Sequence, residues 1–250
     1  GAAPASGNDY FTSSYVLRTP TSGAHTFAGD SLTIDAGGTL AWKTTGLITV
    51  NDLILNGGML SNYDPGGDHG ARLAGQVTLL SDSTIHTSDS NRSFLLTAVV
   101  TGGGALSKTG PGSLTLAVAN TYSGETILSG GYLTAGANGA LGSGAVALNS
   151  GANRLVLGAG VTLGNDIVIN GGVSPSAGWG AVTATGGGVL TGTITINGNA
   201  ANGGHFRGGS GGSVLDIQGA INSSVRVSLR AGDFLISGGG NYDLMDHGAG

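Results

Sequence analysis

One short phrase recurs along the chain and limits what it can fold into. An alternating apolar run is followed by Asn, Asp or Ser, then Gly, then another apolar residue. Copies read SLTIDAGGTL (31–40), DLILNGGML (52–60), TILSGGYL (126–133), AVALNSG (145–151), DIVINGG (166–172), TITING (193–198), VLDIQG (214–219) and FLISGG (234–239). The glycines of successive copies repeat at a near-constant spacing. Gly37 to Gly57 is 20 residues, Gly130 to Gly151 is 21, Gly151 to Gly171 is 20, Gly171 to Gly198 is 27, Gly198 to Gly219 is 21 and Gly219 to Gly238 is 19. A period near 20 with strand chemistry in every copy and no helical pattern predicts a solenoid. A single coil cannot bury its apolar side, whereas stacked coils bury a continuous one.

The phrase also predicts the coil. Strand side chains alternate between faces, so Leu53 and Leu55, or Ile167 and Ile169, point to one core. The glycine after the Asn permits positive φ and a tight corner. The expected corner residues are Gly37, Gly57, Gly130, Gly151, Gly171, Gly198, Gly219 and Gly238, with Asn56, Asn149, Asn170 and Asn197 in like positions. Two roles are open for these asparagines: tolerating a left-handed turn, or stacking from coil to coil as an amide ladder. The fold expected is all-β, a right-handed parallel β-helix of ~20-residue coils with Gly/Asn corners. About 11 coils at ~4.8 Å each make a rod on the order of 50 Å. Residues 1–250 read as one β-helical segment, a piece of a longer repeat protein. Residues 1–24 are less regular, either a strand pair over the first coil or its ragged start. Segments 61–72, 174–188 and 199–212 break the period and read as loops.

Composition narrows the function classes. Glycine supplies 51 of 250 residues without a strict Gly-X-Y period, which excludes collagen. Hydrophobic residues reach 39% and charged residues only 9%, the reverse of a disordered chain. A net charge of −5 argues against a nucleic-acid partner. With no cysteine, thiol catalysis and thiolate metal sites are excluded. No apolar run of about 18 residues exists to span a membrane as a helix.

The stretch 102–134 is the most patterned. GALSKTGPGSLTL (104–116), ANTYSGET (119–126) and SGGYL (129–133) together resemble the autotransporter-associated β-strand repeat of large surface and secreted passenger proteins in Gram-negative bacteria. The resemblance implies a right-handed parallel β-helix, export to the cell surface or beyond, and no catalytic residues. Aromatics at 5% are too scarce for the girdles of a membrane β-barrel, so no translocator is expected within these residues.

Candidate contact residues fall in two places. Asp64, Asp68, His69 and Arg72 cluster in YDPGGDHGAR (63–72), where carboxylates with a histidine could hold a cation or a sugar, though Asp-Pro-Gly-Gly is also strong turn chemistry. His205, Phe206 and Arg207 place an aromatic beside an arginine in a Gly-rich loop, a usual partner anchor. The acids Asp35, Asp52, Asp166 and Asp216 are scattered, and Asp52 and Asp166 read as equivalent strand-start residues. No catalytic, cofactor or metal site is expected. The chain reads as a non-enzymatic extracellular structural or adhesive segment that self-associates head to tail or laterally. A carbohydrate or host surface is a further partner, and this segment inserts into no membrane. The alternative is a carbohydrate-binding or carbohydrate-cleaving β-helix with acids aligned along one face.

Overall fold

In the computed structural model, residues 3–62, 70–149, 153–170, 181–197, 204–208, 213–230 and 232–246 are described. Among them are 27 strands and no helix. Every strand-to-strand ladder is parallel, and the chain winds as a right-handed β-solenoid.

Three faces make up the coil. The first begins with Asp9–Phe11 and Ser31–Asp35, continues through the second halves of the long strands Leu47–Asn56 and Gly70–Ser81, and reaches Val99–Gly102. It is irregular for two coils and resumes as Val161–Leu163, Gly188–Leu190, Val214–Ile217 and Asp233–Ile236. The second face runs from Val16–Arg18 through Leu106–Thr109, Thr126–Leu128, Val146–Leu148, Ile167–Ile169 and Ile194–Ile196. The third runs from His25–Thr26 through Ser93–Leu96, Ser113–Leu116, Tyr132–Ala135, Arg154–Leu157 and Val182–Ala184 to Gly204–Arg207 and the end of Ile221–Arg230.

Period-2 alternation sets the interior. Leu53, Leu55, Leu73, Leu79, Leu114, Leu116, Leu133, Leu155 and Ile169 are all fully buried. β-Branched and leucine side chains from successive coils stack on a pleated surface, so each coil covers its neighbour's apolar side. Trp42 and Phe94 join this core edge to face, with ring centroids 4.7 Å apart.

The structure amends four expectations. Residues 9–27 are neither a covering strand pair nor a ragged start. They form a complete first coil, with Asp9, Val16 and His25 in register with Ser31, Thr39 and Ile48. The segment 199–212 contains the strand Gly204–Arg207, and 174–188 contains Val182–Ala184. Segment 61–72 opens and closes in strands, Met59–Asn62 and Gly70–Ser81.

The fourth amendment concerns the corners. Gly37, Gly57, Gly219 and Gly238 lie where the first face turns into the second, whereas Gly130 follows the second face and turns into the third. Asn56 belongs to the first of these corners, Asn149, Asn170 and Asn197 to the other. Asp52 opens a first-face run and Asp166 a second-face strand, so they are not equivalent either. The 21-residue step from Gly198 to Gly219 is therefore not a turn of the solenoid. The true register there joins Ile167, Ile194 and Ile221, in steps of 27 residues. A strand–turn–strand phrase fits any corner of a three-sided coil, so spacing alone merged two of them. Gly151, Gly171 and Gly198 lie outside the described residues.

Positive φ also holds at only some of the expected glycines. Gly37 and Gly57 have φ of 80° and 79°, but at 130–131 the left-handed residue is Gly131, φ 67°. Gly219 and Gly238 are needed for space instead: a Cβ on either would run into the backbone carbonyl of the coil below, at Gly192 and Gly219 respectively.

Candidate functional site

The consensus coil shows what its patterned residues do. In register, Lys108 lies between Ile85 below and Leu128 above, both core residues. Its side chain is fully buried, and Nζ donates to the carbonyls of Thr109, Gly110 and Gly130 at 2.9, 2.9 and 3.0 Å. The ammonium thus fills the corner left by Thr-Gly-Pro-Gly and ties it to the corner of the next coil. Three donors meet three acceptors, which satisfies the group. Burial still lowers its pKa to about 8. Burial, and then the Lys108 charge, also lower the pKa of His86, whose Nδ1 lies 3.0 Å from Thr109 Oγ1.

The ANTYSGET stretch is interior too. Asn120 accepts from Val100 N–H and donates to the Ala140 carbonyl, bridging three coils. Tyr122 is fully buried with its hydroxyl 2.6 Å from Thr126 Oγ1, and burial raises its pKa to about 12. Asn165 and Asn153 repeat the device: Asn165 Nδ2 donates to the carbonyls of Gly142 and Gly144, and Asn153 Nδ2 to that of Leu128. These buried donors carry no signal in a hydropathy pattern. The detectable cue is a polar residue at an inward position of the alternation.

The corner asparagines bond to one another. Asn170 Nδ2 donates to Asn149 Oδ1 at 2.8 Å, and Asn197 Nδ2 to Asn170 Oδ1 at 3.0 Å. On the other corner, Asn56 Nδ2 donates to Asp35 Oδ1 at 3.2 Å, and Ser81 Oγ donates to Asn56 Oδ1. The acids have similar structural partners: Asp82 Oδ1 accepts Ala105 N–H, Asp166 Oδ1 accepts Thr193 N–H, and Asp216 accepts from Gln218. No cluster of three metal-ligating side chains exists among the described residues.

The two expected contact clusters fare differently. Asp64, Asp68 and His69 lie outside the described residues, while Arg72 is an exposed residue of the third face. Phe206 is not a surface anchor. It is fully buried in register with Val182, because strand alternation sends it inward and Arg207 outward. His205 is in register with Ser228.

Two surface features remain. On the second face a concavity of about 570 Å³ is lined by Val16, Arg18, Thr39, Lys43, Met59 and His86, among others. At the start of the solenoid, Phe11, Tyr15, Val16 and Leu17 are exposed by 66, 77, 58 and 39%. Beside them, cavities of about 310 and 330 Å³ are floored by the core residues Leu32, Leu40, Ile48 and Val50.

Residues 106–135 match the family model of the passenger-associated-transport-repeat. Over 196 residues, 76% of the chain, the sequence is 30% identical to the adhesin BmaC autotransporter of Brucella suis biovar 1 (strain 1330). The chain spans about 5% of the length of that relative. No solved structure matches it significantly. The chain is therefore a passenger-type β-helix, with the repeat named above at its centre.

Proposed function

We propose that this chain is a non-enzymatic, extracellular adhesive segment of a Gram-negative surface protein. The observation that carries the reading is the extended similarity to an autotransporter adhesin along most of the solenoid. The residues of the consensus coil support it: Lys108, Asn120, Tyr122 and Thr126 are interior and engaged with backbone or each other, and so unavailable for chemistry on a substrate. The test is adhesion. Displayed on a non-adherent bacterium, the chain is expected to raise attachment to host cells or matrix above that of the empty display scaffold. Attachment equal to that scaffold removes the reading.

Self-association is a second element of the proposal. The first coil leaves three strand edges unpaired above an apolar mouth, and such edges invite further parallel strands. The last coil ends in strands of the same polarity, so a second copy stacked head to tail continues all three faces. That contact is heterologous and does not close, which gives filaments rather than dimers. Sedimentation velocity is expected to show concentration-dependent growth that Val16→Lys with Tyr15→Asp suppresses. A monomer at all concentrations defeats this element alone.

A further inference from the structure

The third face differs from the rest of the molecule in charge. The chain holds 14 acids against 9 Lys and Arg. Yet from Leu47 to Arg230 the third-face strands contain no acid, while Arg72, Arg154, Arg207 and Arg230 all lie on them. Carboxylates return only in the final strand, at Asp243 and Asp246. Elsewhere the acids, such as Asp35, Asp82 and Asp166, sit at the corner leading into the second face. The asymmetry follows from which positions point outward, and no net-charge figure reveals it.

The arginines are arranged with other recognition chemistry. Tyr132 and Arg154 are direct neighbours on adjacent coils, and the Arg154 guanidinium stands 4.6 Å from the Tyr132 ring centroid. Two coils beyond Arg154's strand comes that of Arg207, and Arg207 weighs on Arg154 as a like charge. Between and beside them lie two hydroxyls, Thr183 Oγ1 and Ser228 Oγ, each buried without a hydrogen-bond partner. A buried polar group left unsatisfied costs about 1–3 kcal/mol, so a group that completes it is favoured. Thr115 and Thr134 extend the outward column on the preceding coils.

We infer that this face, centred on Tyr132, Arg154, Thr183 and Arg207, binds an acidic polysaccharide. The inference rests on the adhesive reading above and names its ligand class. An extended parallel sheet accommodates a polymer laid across its coils better than a single sugar. Guanidinium groups pair with planar or tetrahedral anions through two parallel N–H donors, and the two repelling arginines gain most from an anion between them. The hydroxyls and the tyrosine supply the uncharged contacts that sugars use. A protein of net charge −5 repels a polyanion everywhere else, so binding must be local to this face.

The experiment measures binding of the full chain to immobilised polygalacturonate, to heparin and to neutral dextran at several salt concentrations. The two polyanions separate carboxylate from sulfate recognition. The expected result is binding to at least one polyanion, none to dextran, and loss of affinity as salt rises. Arg154→Gln with Arg207→Gln weakens binding by at least tenfold, while Arg18→Gln on the second face leaves it unchanged. Circular dichroism and urea melts verify that each variant is folded. Equal binding by the double variant, equal binding of dextran, or no polyanion binding at all overturns the inference. Adhesion to cells that persists without polyanion binding removes this inference and leaves the adhesive reading intact.

Discussion

The two corners flanking the second face solve one problem in opposite ways. Entering the face, backbone lies directly on backbone. Gly104, Gly124 and Gly144 stack in successive coils, as do Gly192, Gly219 and Gly238, and a Cβ on any of the upper members would meet the carbonyl beneath. Three residues separate Leu163 from Ile167, Leu190 from Ile194, and Ile217 from Ile221. Leaving the face, side chains fill the gap: the Lys108 ammonium, the Asn153 amide and the Asn149–Asn170–Asn197 series. There the spacing between strands varies, with 3 residues from Leu128 to Tyr132, 5 from Leu148 to Arg154, 12 from Ile169 to Val182 and 7 from Ile196 to Gly204. A corner made of stacked backbone tolerates neither a methyl group nor an extra residue. A corner held by side chains accepts both, so variation collects there, beside the face that carries the arginines.

The strongest way to break this contrast is an insertion. Gly-Ser-Gly-Ser placed between Gly103 and Gly104 is expected to abolish the cooperative urea transition, because every later second-face strand is pulled out of line. The same insert between residues 200 and 201 is expected to cost no more than about 1 kcal/mol, since loop closure grows slowly with length. Equal losses at both sites would end the distinction between the corners.

Neighbouring glycines sharpen it. A Cβ on Gly103 meets nothing within 4 Å, whereas on Gly104 it runs into the Ser81 backbone. Gly104→Ala is expected to cost about 3 kcal/mol in urea melts and Gly103→Ala less than about 0.5.

Lys108→Met comes next, at about 2 kcal/mol, because three buried carbonyls lose their donor. It also carries a pH signature. The folded lysine titrates near about 8 and the ordinary value is 10.5, so between these the unfolded chain holds more protons. Wild-type stability therefore rises with pH across that window, by up to about 1.4 kcal/mol per unit, and is flat just below it. The Met variant is expected to lack the rise. Identical alkaline profiles would mean that Lys108 is not held as described. The smallest effect belongs to Asn170→Ala, about 0.5–1 kcal/mol, because its ladder partners are exposed to water.

Much of the solenoid was readable before any coordinates. Leu53, Leu55, Ile167 and Ile169 declare their inward positions by alternation, and the LSKTGPG and NTYSGET strings mark the best-formed coil. The corners were readable only in part, since Asn56 and Asn149 occur in nearly identical phrases but sit on different corners. Phe206 looked like a surface anchor because its neighbours are glycines, and the ladder with Val182 turned it into the core.

Sequence by itself determined that strands repeat at about twenty residues and bury one side, because alternation and turn chemistry are local properties written in consecutive residues. Only the tertiary structure decided which corner each turn occupies, that Lys108 faces inward among carbonyls, and that four arginines share one face without an acid. Those facts depend on which residues of different coils come to lie above one another. That stacking is fixed by the lengths of segments up to 27 residues away, not by any neighbour in the chain.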